Sequence, residues 1–323
     1  MRILIIGAAG MVGRKLAQRL VRDGMLGPQI ISEMVCVDVM PAPELGAGVE
    51  MVVADITQPE VAVDLIARRP EVIIDLAGVV SGEAEDNFDK GYRVNLDATR
   101  HLLEAVRLAG TSYTPRLVFS SSIAVFGPPM PDVITDDQAT TPATSYGTQK
   151  AITELLLADY TRREFLDGIA IRLPTICVRP GAPNLAASGF FSNIIREPLH
   201  GRPAVLPVSP EVRHWFASPR AAVGFLLHAA TMDTTVLGLR CSLTMPGLSA
   251  TVAEEIEALR RVAGDDAVAL IRAEPDEAIA RIVDGWPRAF DARRASALGF
   301  TAERAFDEIV RVYVEDEMGG AAG

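Results

Sequence analysis

Apolar and polar positions follow two rhythms along the chain. From residue 2 to about residue 173, short, mainly apolar runs (2–6, 34–39, 50–53, 72–76, 116–120 and 168–173) are separated by stretches in which apolar residues recur every three or four positions (11–23, 59–68, 87–109 and 145–164). The first rhythm predicts strands buried on both faces, the second amphipathic helices. Strands joined through helices pair in parallel, because a parallel connection needs a long crossover. The expected fold is α/β, a doubly wound parallel sheet.

After Pro174 the texture changes. Pro180, Pro183, Pro198, Pro203, Pro207, Pro210 and Pro219 break the alternation, which predicts a smaller mixed α/β lobe. Helical patterns return at about 219–231, 251–263, 275–283 and 302–316, with a strand at 237–244. The reading divides the chain into a first domain, 1–174 with about 213–236 packing back, and a substrate lobe of about 175–212 and 237–318. Residues 319–323, Gly-Gly-Ala-Ala-Gly, read as a frayed tail. In open α/β sheets ligands bind outside the carboxyl ends of the strands, where such a lobe would pack.

A chain of 323 residues buries enough core to hold a cleft. No run approaches the roughly 18 apolar residues that span a bilayer, and the start lacks the ordered charged, apolar and small-residue regions of a secretory leader, so the expected location is cytoplasmic. Cys36, Cys177 and Cys241 are far apart and flanked by apolar residues, which predicts buried free thiols and no metal site. A net charge of −11 without a basic stripe opposes a nucleic-acid partner. A small molecule is the expected ligand.

Gly7, Gly10 and Gly13 lie between the first strand and the first helix, in Gly7-Ala8-Ala9-Gly10-Met11-Val12-Gly13. A turn this tight aims a helix N-terminus, with its unpaired N–H groups, at a pyrophosphate. The second strand ends at Asp38, whose carboxylate suits a ribose diol and repels a 2′-phosphate, so NAD is expected over NADP. Arg14 and Lys15 fit a solvated helix face. Asp55 and Ile56 after the third strand can face the adenine, though Asp55 equally fits a solvated turn; Leu76, Ala77 and Gly78 after the fourth bring backbone near the cofactor.

The strand Leu117–Ser120 runs on into Ser121 and Ser122, and Tyr146 follows Ser122 by 24 residues. Tyr146 and Lys150 stand at i and i+4, on one helix face. A phenol ionises near pH 10; an ammonium about 4 Å away contributes roughly 4 kcal/mol at an effective dielectric of 20, enough to lower that value by about two to three. Tyr146 can then act as general base while hydride leaves the same carbon, with Ser122 holding the reacting oxygen. Singly, each feature has a plain structural reading, since glycines punctuate turns and Tyr/Lys pairs are common on surface helices. Their order along the chain assigns the chemistry.

The chain resembles the extended short-chain dehydrogenase/reductase, or NAD-dependent epimerase/dehydratase, family in the glycine turn, Asp38, Asp55, Asn95 within Tyr92-Arg93-Val94-Asn95, Ser122–Gly127, Tyr146/Lys150 and Arg172-Leu173-Pro174. The resemblance implies a Rossmann sheet, bound NAD contacted also by Met11, Val12, Asn95, Pro174 and Ile176, and a homodimer through helices 87–109 and 145–164, with Leu102, Val106, Leu155 and Leu156 as candidate contacts. Phe126 departs from the family, which has tyrosine there in many members. The segments 134–142, 171–176 and 188–193 are similar to sugar-acid dehydrogenases within the family, implying oxidation of the C2 hydroxyl of a four-carbon acid to a 2-oxo acid. A nucleotide-sugar epimerase, a uronate dehydrogenase and a non-catalytic NAD-sensing regulator would share the cofactor residues.

A small polyhydroxy acid needs a cation or several donors for its carboxylate. The resemblance makes Arg213 the first candidate, although a structural salt bridge suits it as well. Ser81, Ser122, Tyr146, Ser188 and Asn193 are candidates for the hydroxyls, Arg172 for a structural ion pair. His200, His214 and Trp215 lack metal or triad spacing and read as packing residues.

Overall fold

In the computed structural model, which describes residues 1–42, 45–46, 48–181 and 188–319, the first half alternates as expected: β1 (Arg2–Ile6), α1 (Met11–Asp23), β2 (Glu33–Asp38), β3 (Val49–Val53), α2 (Pro59–Ala67), β4 (Val72–Asp75), α3 (Ala98–Leu108), β5 (Arg116–Ser122), α4 (Ser145–Arg162) and β6 (Asp167–Leu173). The remainder contains β7 (Thr175–Ile176), α5 (Gly189–Leu199), β8 (Arg213–Ala217), α6 (Pro219–Thr231), β9 (Ser242–Thr244), β10 (Leu248–Thr251), α7 (Val252–Ala263) and α8 (Phe306–Glu317), with shorter elements between. The expected tail at 320–323 lies outside the described residues.

Seven parallel strands form the central sheet in the order β9-β6-β5-β4-β1-β2-β3. The order reverses between β1 and β4, so their carboxyl ends, Gly7 and Leu76, flank the crevice where a ligand enters. One face is covered by α1 and α6, packing Leu16, Leu20, Phe225 and Leu226; the other by α2, α3 and α4, packing Leu65, Ile66, Leu102, Val106 and Leu157. Leu102 and Val106 thus belong to the core and are not available to a second subunit, whereas Leu155 on α4 is 71% exposed. No helix among the described residues is long and apolar enough to cross a membrane.

Three expectations change. The strand expected at 237–244 shortens to β9, which pairs with β6 and closes the edge of the large sheet; a parallel edge with Ala170 and Ile171 buried beside it needs that cover. Conversely β8, expected to pack back on the first domain, joins β7 and β10 in a separate three-stranded sheet of the lobe, above a core of Phe191, Ile194, Phe216, Leu259 and Ile309. The helix expected at 87–109 is broken. Asn87 caps a short helix by accepting from the Lys90 amide, and a π-helical turn at Arg93–Asp97 precedes α3. That wider turn carries the buried Asn95. Cys36, Cys177 and Cys241 are buried free thiols.

Candidate active site

The three glycines of the β1–α1 turn have different reasons to be glycine. Gly7 has φ +82°, and a Cβ there would lie 2.7 Å from the Leu76 carbonyl carbon. A Cβ on Gly13 would lie 2.3 Å from the Gly7 oxygen, so α1 seats on the turn only without one. Gly10, at the N-cap of α1, has ordinary extended backbone, and its Cβ would meet only the Gly7 oxygen at 3.3 Å. Gly10 is exposed, so the open space above it suits a close-approaching phosphate. Asp38 closes the same turn, accepting from the Ala9 amide at 2.9 Å and the Met40 amide at 3.1 Å.

Further along the crevice, Asp55 is exposed and accepts from the Thr57 amide at 3.0 Å. Burial raises its carboxyl, but hydrogen bonds from Thr57 and Gln58 and the charge of Arg93 together outweigh this and lower it. Ile56 is buried beside it. Asn95 does not face the crevice directly: its Oδ1 accepts from the Val79 amide at 2.8 Å and its Nδ2 donates to Gln149 Oε1 at 2.7 Å, tying the Leu76–Val80 loop to α4. At Gly78 a Cβ would lie 3.1 Å from Asn95 Oδ1 and 3.6 Å from the buried Lys150 Nζ; its absence leaves room beside both groups. The chain thus fits a dinucleotide, with a cradle at Gly10, an acid at Asp38 and a cation behind Gly78.

The crevice continues into a cavity of about 390 Å³ bounded by Met11, Val12, Ser81, Ser122, Tyr146, Pro174 and Ile176 on one side. α4 starts where Thr144 accepts from the Gly147 amide at 3.0 Å, which sets Tyr146 in its first turn beside the end of β5. Lys150 does not reach the phenol. Its ammonium donates to the Ser120 carbonyl at 2.8 Å, lies 4.5 Å from the Phe119 ring centroid and 5.8 Å from that of Tyr146. Burial brings it down to about 8, against the attraction of Asp75 and Glu154. Burial pushes the Tyr146 phenol up, opposed by the Ser122 hydroxyl and by Arg179. The i and i+4 spacing places the two side chains on one helix face, and the lysine stem turns its ammonium to the Ser120 carbonyl within β5.

Arg179 is the charged side chain that lines the cavity among the described residues. Its Nε donates to the Ile176 carbonyl at 3.0 Å and Nη2 to Ser188 Oγ at 2.8 Å. Arg213 is elsewhere: it pairs with Glu254 at 3.4 Å and lines a separate groove with Ser209, Glu211 and Arg281. The strand period turns it away from the cavity while His214, its neighbour, turns in. Asn193 also faces away, accepting from Arg196 at 2.6 Å. Ser81 and Ser188 do line the cavity, with Thr175, Trp286 and Pro287, which the sequence did not single out, and with His214, which packs on Phe191 as expected but also reaches the cavity. The available signal for Arg179 was a lone cation at the end of the apolar run 173–178. Arg172 pairs with the buried Glu154 at 2.7 Å, which also accepts from Ser121 at 2.5 Å, and lies 5.0 Å from the ring centroid of Phe126. Trp215 is a core residue donating to the Met245 carbonyl at 3.2 Å, and His200 contacts the Tyr313 hydroxyl at 3.0 Å.

The chain is similar to known proteins over nearly its whole length. D-erythronate dehydrogenase from Cupriavidus necator is 48% identical over 321 residues, covering 98% of both chains. D-erythronate dehydrogenase from Haemophilus influenzae is 40% identical over 98% of this chain and 100% of its own. A crystal structure described as a nucleoside-diphosphate-sugar epimerase from Agrobacterium tumefaciens superposes with a TM-score of 0.97 at 60% identity, covering 100% of this chain and 96% of that one. The model of the NAD dependent epimerase/dehydratase family matches residues 3–230, the span that holds the glycine turn, Asp38, Ser122, Tyr146, Lys150 and Arg179, and the chain belongs to that family.

Proposed function

We propose that this chain oxidises the C2 hydroxyl of a small sugar acid, D-erythronate, to the 2-oxo acid, with Tyr146 as general base. That it is an NAD-dependent dehydrogenase rests on its family and its full-length relatives; the observation that carries the finer reading is Arg179. A single cation in a cavity lined by hydroxyls matches one carboxylate and several hydroxyl groups, and charge-assisted hydrogen bonds of this kind contribute about 1.5–3 kcal/mol each. Arg179 would hold the carboxylate and Ser122 the C2 oxygen, so that the Tyr146 phenolate removes the hydroxyl proton. Burial raises the phenol, and the Ser122 hydroxyl and the charge of Arg179 oppose it in favour of that phenolate. Bound NAD supplies the hydride acceptor. Lys150, cationic below about 8, would face the cofactor from behind Gly78.

The test is direct. Protein, NAD and D-erythronate are mixed and the absorbance of reduced cofactor is followed; turnover supports the reading, and none with any four- to six-carbon aldonate or uronate overturns it. A second reading, epimerisation of a sugar nucleotide, is favoured by the description of the Agrobacterium structure. It predicts inversion of a sugar nucleotide without net formation of reduced cofactor in the same assay. For assembly, the exposed Leu155 and Leu108 suit a second copy of the chain, and light scattering that returns a monomer removes that reading.

A further inference from the structure

In the lobe wall of the cavity, two side chains fix each other's hydrogen-bonding direction. His214 is buried, its ring stacked on Phe191 with centroids 5.4 Å apart and planes 3° from parallel. Nδ1 lies 2.9 Å from the Pro287 carbonyl oxygen and Nε2 2.7 Å from the Thr175 hydroxyl. A carbonyl oxygen only accepts, so Nδ1 carries a proton. Burial, opposed by the Pro287 hydrogen bond and aided by the charge of Arg179, brings the imidazole down to about 4, so at neutral pH the ring is neutral and Nε2 is an acceptor. The one proton of the Thr175 hydroxyl therefore goes to Nε2. Thr175 and His214 both line the cavity, and what Thr175 offers to it is lone pairs alone.

We infer that Thr175, held by His214 as an acceptor only, selects acids that carry a further hydroxyl beyond C2, positioned to donate to this wall. The inference rests on the sugar-acid reading above. A methylene at that position leaves the Thr175 lone pair unmet, and a carbonyl sets acceptor against acceptor, so both are disfavoured by what the wall lacks as well as by what it offers. Thr175 contacts the substrate; His214 is a positioning residue.

The experiment compares kcat/KM for D-erythronate with that for 2,4-dihydroxybutanoate and 2,3-dihydroxybutanoate, each lacking one hydroxyl. The wild type should disfavour one of the two by about tenfold, the worth of one net hydrogen bond. Thr175→Val should lower kcat/KM for D-erythronate by about the same factor and leave that analogue unchanged, while His214→Phe, which keeps the aromatic stack and frees the hydroxyl to turn, should narrow the preference. An equal loss for all three acids in Thr175→Val, the mark of a structural role, overturns the inference, as does no change. A readout on the wild type needs no turnover: with four histidines in the chain, ¹⁵N-histidine spectra assigned through His214→Phe should give His214 as the Nδ1–H tautomer from pH 6 to 8, and the Nε2–H tautomer overturns the inference. Turnover with an unchanged hydroxyl preference sinks this inference alone; turnover of no acid sinks the dehydrogenase reading and this inference together.

Discussion

Two walls face each other across one cavity, and they are built differently. The wall at the carboxyl edge of the sheet comes from short contiguous segments, each at a strand end or a helix start: Met11–Val12, Ser120–Ser122, and Ala143, Thr144 and Tyr146. The lobe wall collects Thr175, Arg179, Ser188, His214, Trp286 and Pro287, spread from residue 175 to residue 287. The first wall holds groups whose task depends on local geometry, the second those whose task depends on which distant segments pack together. On the function proposed above, reaction type and substrate choice are housed in separable parts of the fold.

The comparison breaks most readily at Tyr146. Tyr146→Phe should lower kcat/KM by about 10³-fold and leave the Kd for NAD within about twofold, measured by initial rates and by titration of the cofactor; a parallel loss of NAD binding would mean that the edge wall acts on the cofactor and not on the proton. Next comes the contrast of two arginines. Arg179→Met should lower kcat/KM about a hundredfold, mainly through KM, as expected for loss of a charged hydrogen bond, whereas Arg213→Met should stay within about twofold. The opposite ranking in steady-state kinetics would remove Arg179 from the site.

The glycine turn offers a smaller, sharper test beside the edge wall. Gly7→Ala places a Cβ 2.7 Å from the Leu76 carbonyl carbon at φ +82° and should lower the Tm by several degrees, since left-handed backbone alone costs about 1–2 kcal/mol. Gly10→Ala should leave the Tm of the free protein nearly unchanged and weaken NAD about tenfold. Thermal melts with and without NAD separate the two, and equal loss of Tm in both would deny Gly10 a role outside the chain's own packing.

The smallest effect tests the lobe beneath its wall. Glu255 on α7 is fully buried, and among the described residues neither carboxyl oxygen has a hydrogen-bond partner; burial pushes its carboxyl well above the usual carboxylate range. The folded chain keeps this proton while the unfolded chain releases it, so stability falls as pH rises above about 4.5 towards the raised folded value. Glu255→Gln cannot ionise and should lose this slope, so its Tm advantage over the wild type should grow by a few degrees from pH 5 to pH 8. An unchanged difference between the two melts would place the ionised form in the fold.

Local order in the chain determined the doubly wound sheet, the glycine turn, Asp38 at the end of β2 and the shared helix face of Tyr146 and Lys150, because each is a matter of period and spacing within one element or between neighbouring ones. Only the tertiary structure decided that Lys150 bonds the Ser120 carbonyl, that β9 closes the large sheet, that Leu102 and Val106 are core, and that Arg179 and not Arg213 enters the cavity. It also decided the direction of the Thr175 hydroxyl, which depends on a carbonyl at residue 287. The physical reason is the same in each case: periodicity says which face of an element a side chain leaves from, but where its polar end finds a partner is set by segments far away in sequence, which meet only when the core packs.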